Sequence, residues 1–125
     1  MTSPRIQEAD ELVATVAAAL ESAGLDKATA TADAGHVPSA ARHGVVLVTP
    51  PTLSFPTFHQ VDTTWTLHVV AGPATDYLAA WATLDAILQA LIDAQLNMDE
   101  AEPGQFAQAN NAPALPAYTI TLNPS

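Results

Sequence analysis

The sequence predicts an α+β fold: a mainly antiparallel sheet with two helices packed on one of its faces. Three observations predict it. Two segments carry apolar residues at helical spacing, residues 3–23 and 72–97; strand-like runs lie between them and after the second; and the order helix, strands, helix, strands segregates the two kinds of structure rather than alternating them. At 125 residues the chain has the length of a single domain, 1–125, with one core, and neither an internal repeat nor a linker interrupts it.

The first helix is read from Ile6, Leu12, Val13, Val16 and Leu20, with Glu8, Asp10, Glu11 and Glu21 falling largely between them. Ser3 suits its cap, Pro4 its first position and Gly24 its end. Residues 25–43 are small and polar without a sustained period, so they read as a long loop that has room for a short strand, and no role is assigned to them. The run "GVVLVTPP" is continuously apolar and closed by two prolines, as a strand buried on both faces requires.

Residues 49–61, "TPPTLSFPTFHQV", carry three prolines and two phenylalanines and read as a loop. In "VDTTWTLHVVAG" Trp65, Leu67 and Val69 point one way and Thr64, Thr66 and His68 the other, which makes one alternating strand. The second helix sets Leu78, Trp81, Leu84, Leu88, Leu91 and Ile92 on a stripe, with Asp85 and Gln89 outside it, and ends near Asn97. An acidic turn, "MDEAEPGQ", follows. The chain then offers a short strand around Phe106, a turn at Asn110 and Asn111, and a last strand with Tyr118, Ile120 and Leu122 on the face that covers the second helix.

Composition narrows the functional classes. Only 13% of residues are charged and 49% are hydrophobic, so the chain folds despite a net charge of -10. Three basic residues, Arg5, Lys27 and Arg42, against thirteen acids leave no patch to neutralise phosphates, which argues against direct nucleic-acid binding. The absence of cysteine removes disulfides, zinc-thiolate sites and thiol nucleophiles. The opening "MTSPRIQEADELV" has acids where a signal peptide has a basic start, and no run reaches the ~18 apolar residues of a membrane span. A soluble protein made inside the cell is expected.

No residue pattern points to catalysis. His36, His43, His59 and His68 lack a metal-ligand spacing and are read as structural or solvated; a metal-dependent hydrolase would need them to converge. His59 and Asp62 are close enough in sequence for a local hydrogen-bonded pair. Ser39 and Ser54 lie beside prolines without a nucleophile elbow, and the five glycines form no phosphate-binding pattern. Asp99, Glu100 and Glu102 lack the alternation of a calcium loop and read as a solvated turn. Trp65 and Trp81 are expected in the core. No enzyme activity, metal or cofactor is expected.

The arrangement itself carries more information. An N-terminal helix, the strand "GVVLVTP", the strand "TTWTLHVVAGP", the long helix "TDYLAAWATLDAILQALIDA" and the C-terminal "LPAYTITL" together resemble the tail terminator proteins of long-tailed bacteriophages, also called minor tail or neck proteins. The resemblance covers most of the chain in order and spacing, and departs from it in residues 25–43. It implies a single tail-terminator-like domain that assembles as a homo-oligomeric ring, commonly a hexamer, on the last ring of the tail tube. There it stops polymerisation and presents the surface to which the head joins. Implied partners are the tail tube protein and the head-tail connector proteins, with DNA passing through without specific binding and no membrane involved. The implied location is the virion, after assembly in the host cytoplasm.

A ring whose contacts are heterologous needs two different complementary surfaces on each subunit. Phe55 and Phe58, on a proline-stiffened segment, together with the adjacent His59, are the candidates for one of them. Six copies would carry about -60, a repulsion that screening or basic partners must relieve, and an acidic lumen would keep DNA from sticking. Two alternatives remain: another small head-tail connector, such as a head completion protein, or a monomeric ligand-binding α+β module whose pocket lies between helices and sheet.

Overall fold

The computed structural model describes residues 4–25, 27–32, 43–57, 60–72, 76–106 and 114–122. Among the described residues nine elements follow in order: α1 (Pro4–Ser22), β1 (Thr29–Thr31), β2 (Val45–Val48), β3 (Thr52–Thr57), β4 (Gln60–Thr64), β5 (Thr66–Val70), α2 (Tyr77–Asp93), β6 (Met98–Phe106) and β7 (Leu115–Leu122). Five strands form one sheet in the order β1-β2-β5-β7-β6, in which only the β1–β2 pair is parallel. β3 and β4 form a separate two-stranded antiparallel sheet. The fold is therefore α+β with a mainly antiparallel sheet, as the sequence predicts.

Both helices pack on the same sheet face. Val46 and Val48 from β2, Leu67 and Val69 from β5, and Ile120 and Leu122 from β7 meet Val16, Ala19 and Leu20 of α1 and Ala80, Leu84, Ile87 and Leu91 of α2 in one buried cluster. Each valine, leucine or isoleucine among them, taken fully out of water, stabilises the fold by about 1.5–3 kcal/mol before entropy is charged against it. The alternate residues Val45, Leu47, Val70, Leu115 and Ala117 make a second buried cluster on the other face. β2 is consequently apolar throughout because both of its faces are covered. β7 lies in the interior of the sheet, and Tyr118, Ile120 and Leu122 face the helices as expected.

Both helices end in the same way. After α1, Leu25 N–H donates to the Leu20 carbonyl at 2.9 Å and Gly24 N–H to that of Glu21 at 3.0 Å, with Gly24 at φ +79°. After α2, Leu96 donates to Leu91 at 3.3 Å and Gln95 to Ile92 at 2.9 Å, and here Gln95 takes the positive φ, 59°. These paired bonds are the Schellman closure, which satisfies carbonyls that the helix leaves open. Asp76 caps the start of α2 by accepting from Ala79 N–H at 3.2 Å.

Several expectations are corrected. The supposed loop 49–61 is largely the β3–β4 hairpin. The single strand read through Trp65 is two, because the chain passes from the small sheet to the large one at that residue. The acidic turn and the short strand expected around Phe106 are one strand, β6, an edge strand that tolerates Pro103 because an edge N–H need not be paired. α2 stops at Asp93, short of Asn97. Its buried stripe runs through Ala80, Leu84, Ile87, Ala90 and Leu91, whereas Leu78, Trp81 and Ile92, expected inside, are exposed. Ile6 of α1 is exposed as well, while Leu12 and Val13 are half-buried. The short strand allowed for in residues 25–43 is β1.

Candidate interaction surface

The β3–β4 hairpin lies in the chain between β2 and β5, two adjacent interior strands of the five-stranded sheet. β2 and β5 pair antiparallel up to Val48 opposite Leu67, and the same two chain directions continue after Pro50 and Pro51, with Thr52 opposite Thr64. Among the described residues the pairing of β7 with this chain segment reaches as far as the Leu122 N–H bond to the Trp65 carbonyl, 2.9 Å. Among the described elements the hairpin's substantial packing is between its own two strands. A two-stranded ribbon of this kind is marginal in water unless something packs on it.

Of the residues expected to form an interface, Phe55 is on β3 and 68% exposed, beside a register shift between Ser54 and Thr57. Phe58 and His59 lie outside the described residues, as do Ser3, His36, Ser39, Arg42, Asn110 and Asn111. Val61 of β4, which sequence reasoning passed over, is exposed on the same hairpin.

A second apolar surface lies on α2. Leu78 is 72% exposed, Trp81 49% and Ile92 55%, along the arc of the helix turned from the sheet. Leu78, Trp81, Ala82 and Asp85 border a shallow groove of about 330 Å³ there. In the sequence these three residues read as part of a single buried stripe, and the exposure of the helix alone separates them from Leu84 and Leu91.

Titratable groups occur elsewhere. His68 lies on the sheet face opposite the helices, in a row that runs Leu47, His68, Thr119, Glu102 across four strands. Thr119 Oγ1 is 3.4 Å from its Nδ1, and burial lowers its pKa. On the edge strand Glu100 is held above the usual carboxylate range by a hydrogen bond with Glu102 and by the negative charges of Glu102 and Asp99. His43 borders an open groove of about 440 Å³ with Lys27, Thr83 and Ile87, on the helix side of the sheet, so the two described histidines do not converge. Among the described residues no group of three or more metal-ligating side chains is gathered.

Comparison with protein-family models, with curated proteins and with solved structures found no match to this chain.

Proposed function

We propose that this chain is a structural virion subunit that closes into a ring on the end of a phage tail tube, ends tube polymerisation and forms the surface to which the head joins. One observation carries the reading: the chain exposes two different apolar surfaces, on the β3–β4 hairpin and on the outer arc of α2. Soluble monomers seldom leave large apolar patches open without a partner. Two unlike surfaces on one chain are what a heterologous, ring-closing contact uses. The α+β order and spacing that resemble tail terminators supply the place for such a ring.

The test is to polymerise a tail tube protein from the same source with and without this chain and to image the products by electron microscopy. A ring of density on one end and arrested tube growth are expected. Tubes that elongate unchanged, with bare ends, would overturn the reading. The open groove beside Lys27 and His43 favours, as a second reading, a small ligand-binding module. A ligand screen by thermal shift, with Lys27→Ala as control, tests that one.

A further inference from the structure

We infer that the two surfaces are each other's partners: the hairpin of one copy, through Phe55 and Val61, lies along the outer arc of α2 of the next, on Leu78, Trp81 and Ile92. This rests on the ring reading above and names the contact that would build it.

Length agrees first. From Leu78 to Ile92 the helix advances about 21 Å at 1.5 Å per residue. The six residues of β3 extend about 20 Å. The ribbon can thus run along the helix face from Leu78 to Ile92, with the groove occupying the first ~10 Å of it, from Leu78 to Asp85. The groove beside Leu78 and Trp81 is shallow and apolar on one side, a seat for an aromatic ring, and Phe55 projects one.

Charge selects a second copy over another kind of partner. A basic protein drawn to this chain would engage its acids, Glu8, Asp10, Glu11 and Glu21 on α1 or Asp99, Glu100 and Glu102 on β6. Within 52–64 the hairpin carries a single carboxylate, Asp62, whereas the outer side of α2 carries Asp85 and, at its two ends, Asp76 and Asp93, still fewer per length than the seven acids named on α1 and β6. Two copies each at -10 repel less where the nearly uncharged hairpin meets α2 than where α1 or β6 meets its counterpart.

Area then sets the strength. A ribbon about 20 Å long and two strands wide covers a few hundred Å², below the ~800 Å² per partner of a stable dimer. One contact is therefore weak, and closure of a ring, in which every copy makes two, is what holds the assembly.

Because the chain has no cysteine, cross-linking can read the contact directly. Phe55→Cys and Leu78→Cys are made in separate chains, each at an exposed position, mixed and oxidised, while the solution mass of the wild-type chain is measured in parallel. A disulfide between the two kinds of chain is expected as the main product, with loss of that product when Trp81→Asp is added to the Leu78→Cys chain. Association of the wild type without the mixed disulfide, or with each variant linking only to itself, overturns this contact while leaving a ring possible by other surfaces. A wild-type chain that never associates, with no mixed disulfide, overturns the contact together with self-assembly of the free chain.

Discussion

Trp65 Nε1 donates a hydrogen bond to Glu8 Oε2 at 3.3 Å, and through it α1 holds the residue at which the chain leaves the projecting hairpin for the main sheet. The indole is 7% exposed and packs in the helix-facing core, so its one polar atom must find an acceptor at the rim. Glu8→Ala should cost about 0.5–1.5 kcal/mol in chemical denaturation, and Glu8→Gln, which keeps an acceptor oxygen, clearly less. In a double-mutant cycle with Trp65→Phe the coupling should be about 1 kcal/mol; a coupling of zero would mean that packing alone fixes Trp65.

Gly44 precedes β2 at φ +88°, and a Cβ there would lie 2.5 Å from Cδ1 of Ile87 and 2.9 Å from Cγ2 of Thr83. Gly44→Ala therefore suffers both a left-handed backbone and a clash with α2, and should destabilise by about 2–5 kcal/mol. Gly24→Ala has the backbone strain alone, since nothing lies within 4 Å, and should cost about 1–2 kcal/mol. Equal losses at the two sites would show that Ile87 and Thr83 yield freely.

Gln95 occupies the left-handed position that Gly24 fills after α1. Replacing it by glycine relieves about 1–2 kcal/mol of backbone strain and returns about 0.5–1 kcal/mol of unfolded-state entropy. Gln95→Gly should accordingly raise stability by roughly 0.5–1 kcal/mol, seen as a higher denaturant midpoint at unchanged slope.

Acidification should act on two groups with opposite signs. Burial lowers the pKa of His68 in the folded state, so below about 6.5 the unfolded chain takes up a proton first and stability falls until the lowered folded value is passed. Glu100 is raised by its hydrogen bond with Glu102 and by the charges of Glu102 and Asp99, so the folded chain takes up that proton first. Its contribution is full below the ordinary carboxylate value of about 4.3 and is lost as pH rises through the raised one. Denaturation midpoints across this range should lose the first slope in His68→Gln and the second in Glu100→Gln.

What the sequence revealed and what it hid have the same cause. "VVLV" was legible because burial on both faces leaves no polar choice at any position. Tyr118, Ile120 and Leu122 were legible because β7 keeps strict alternation on its helix-facing side. β6 was hidden: Asp99, Glu100, Glu102, Pro103 and Gly104 all disfavour strands locally, and the strand exists because its register with β7 supplies the bonds. The hairpin was hidden by its prolines, and the break at Trp65 by an alternation that continues unchanged as the chain passes between sheets. On α2 the period was plain, but the burying face was marked by Ala80 and Ala90, where close approach selects small residues, rather than by the bulkier Leu78, Trp81 and Ile92. Of the candidate surface, only Phe55 was legible and is described; its acceptor required the exposure of α2.

The proposed ring requires association through two unlike apolar surfaces. The most direct measurement is the solution mass by light scattering over a range of concentrations, at low and high salt, for the wild type, Phe55→Ser and Leu78→Ser. Neither substitution should move stability by more than about 0.5 kcal/mol, since both side chains are largely exposed. The predicted result is a wild-type mass that rises with concentration to one closed multiple, favoured by salt as screening weakens repulsion between acidic subunits, while both variants remain monomeric. A wild type that is monomeric under every condition, or variants that associate as it does, would contradict the proposal.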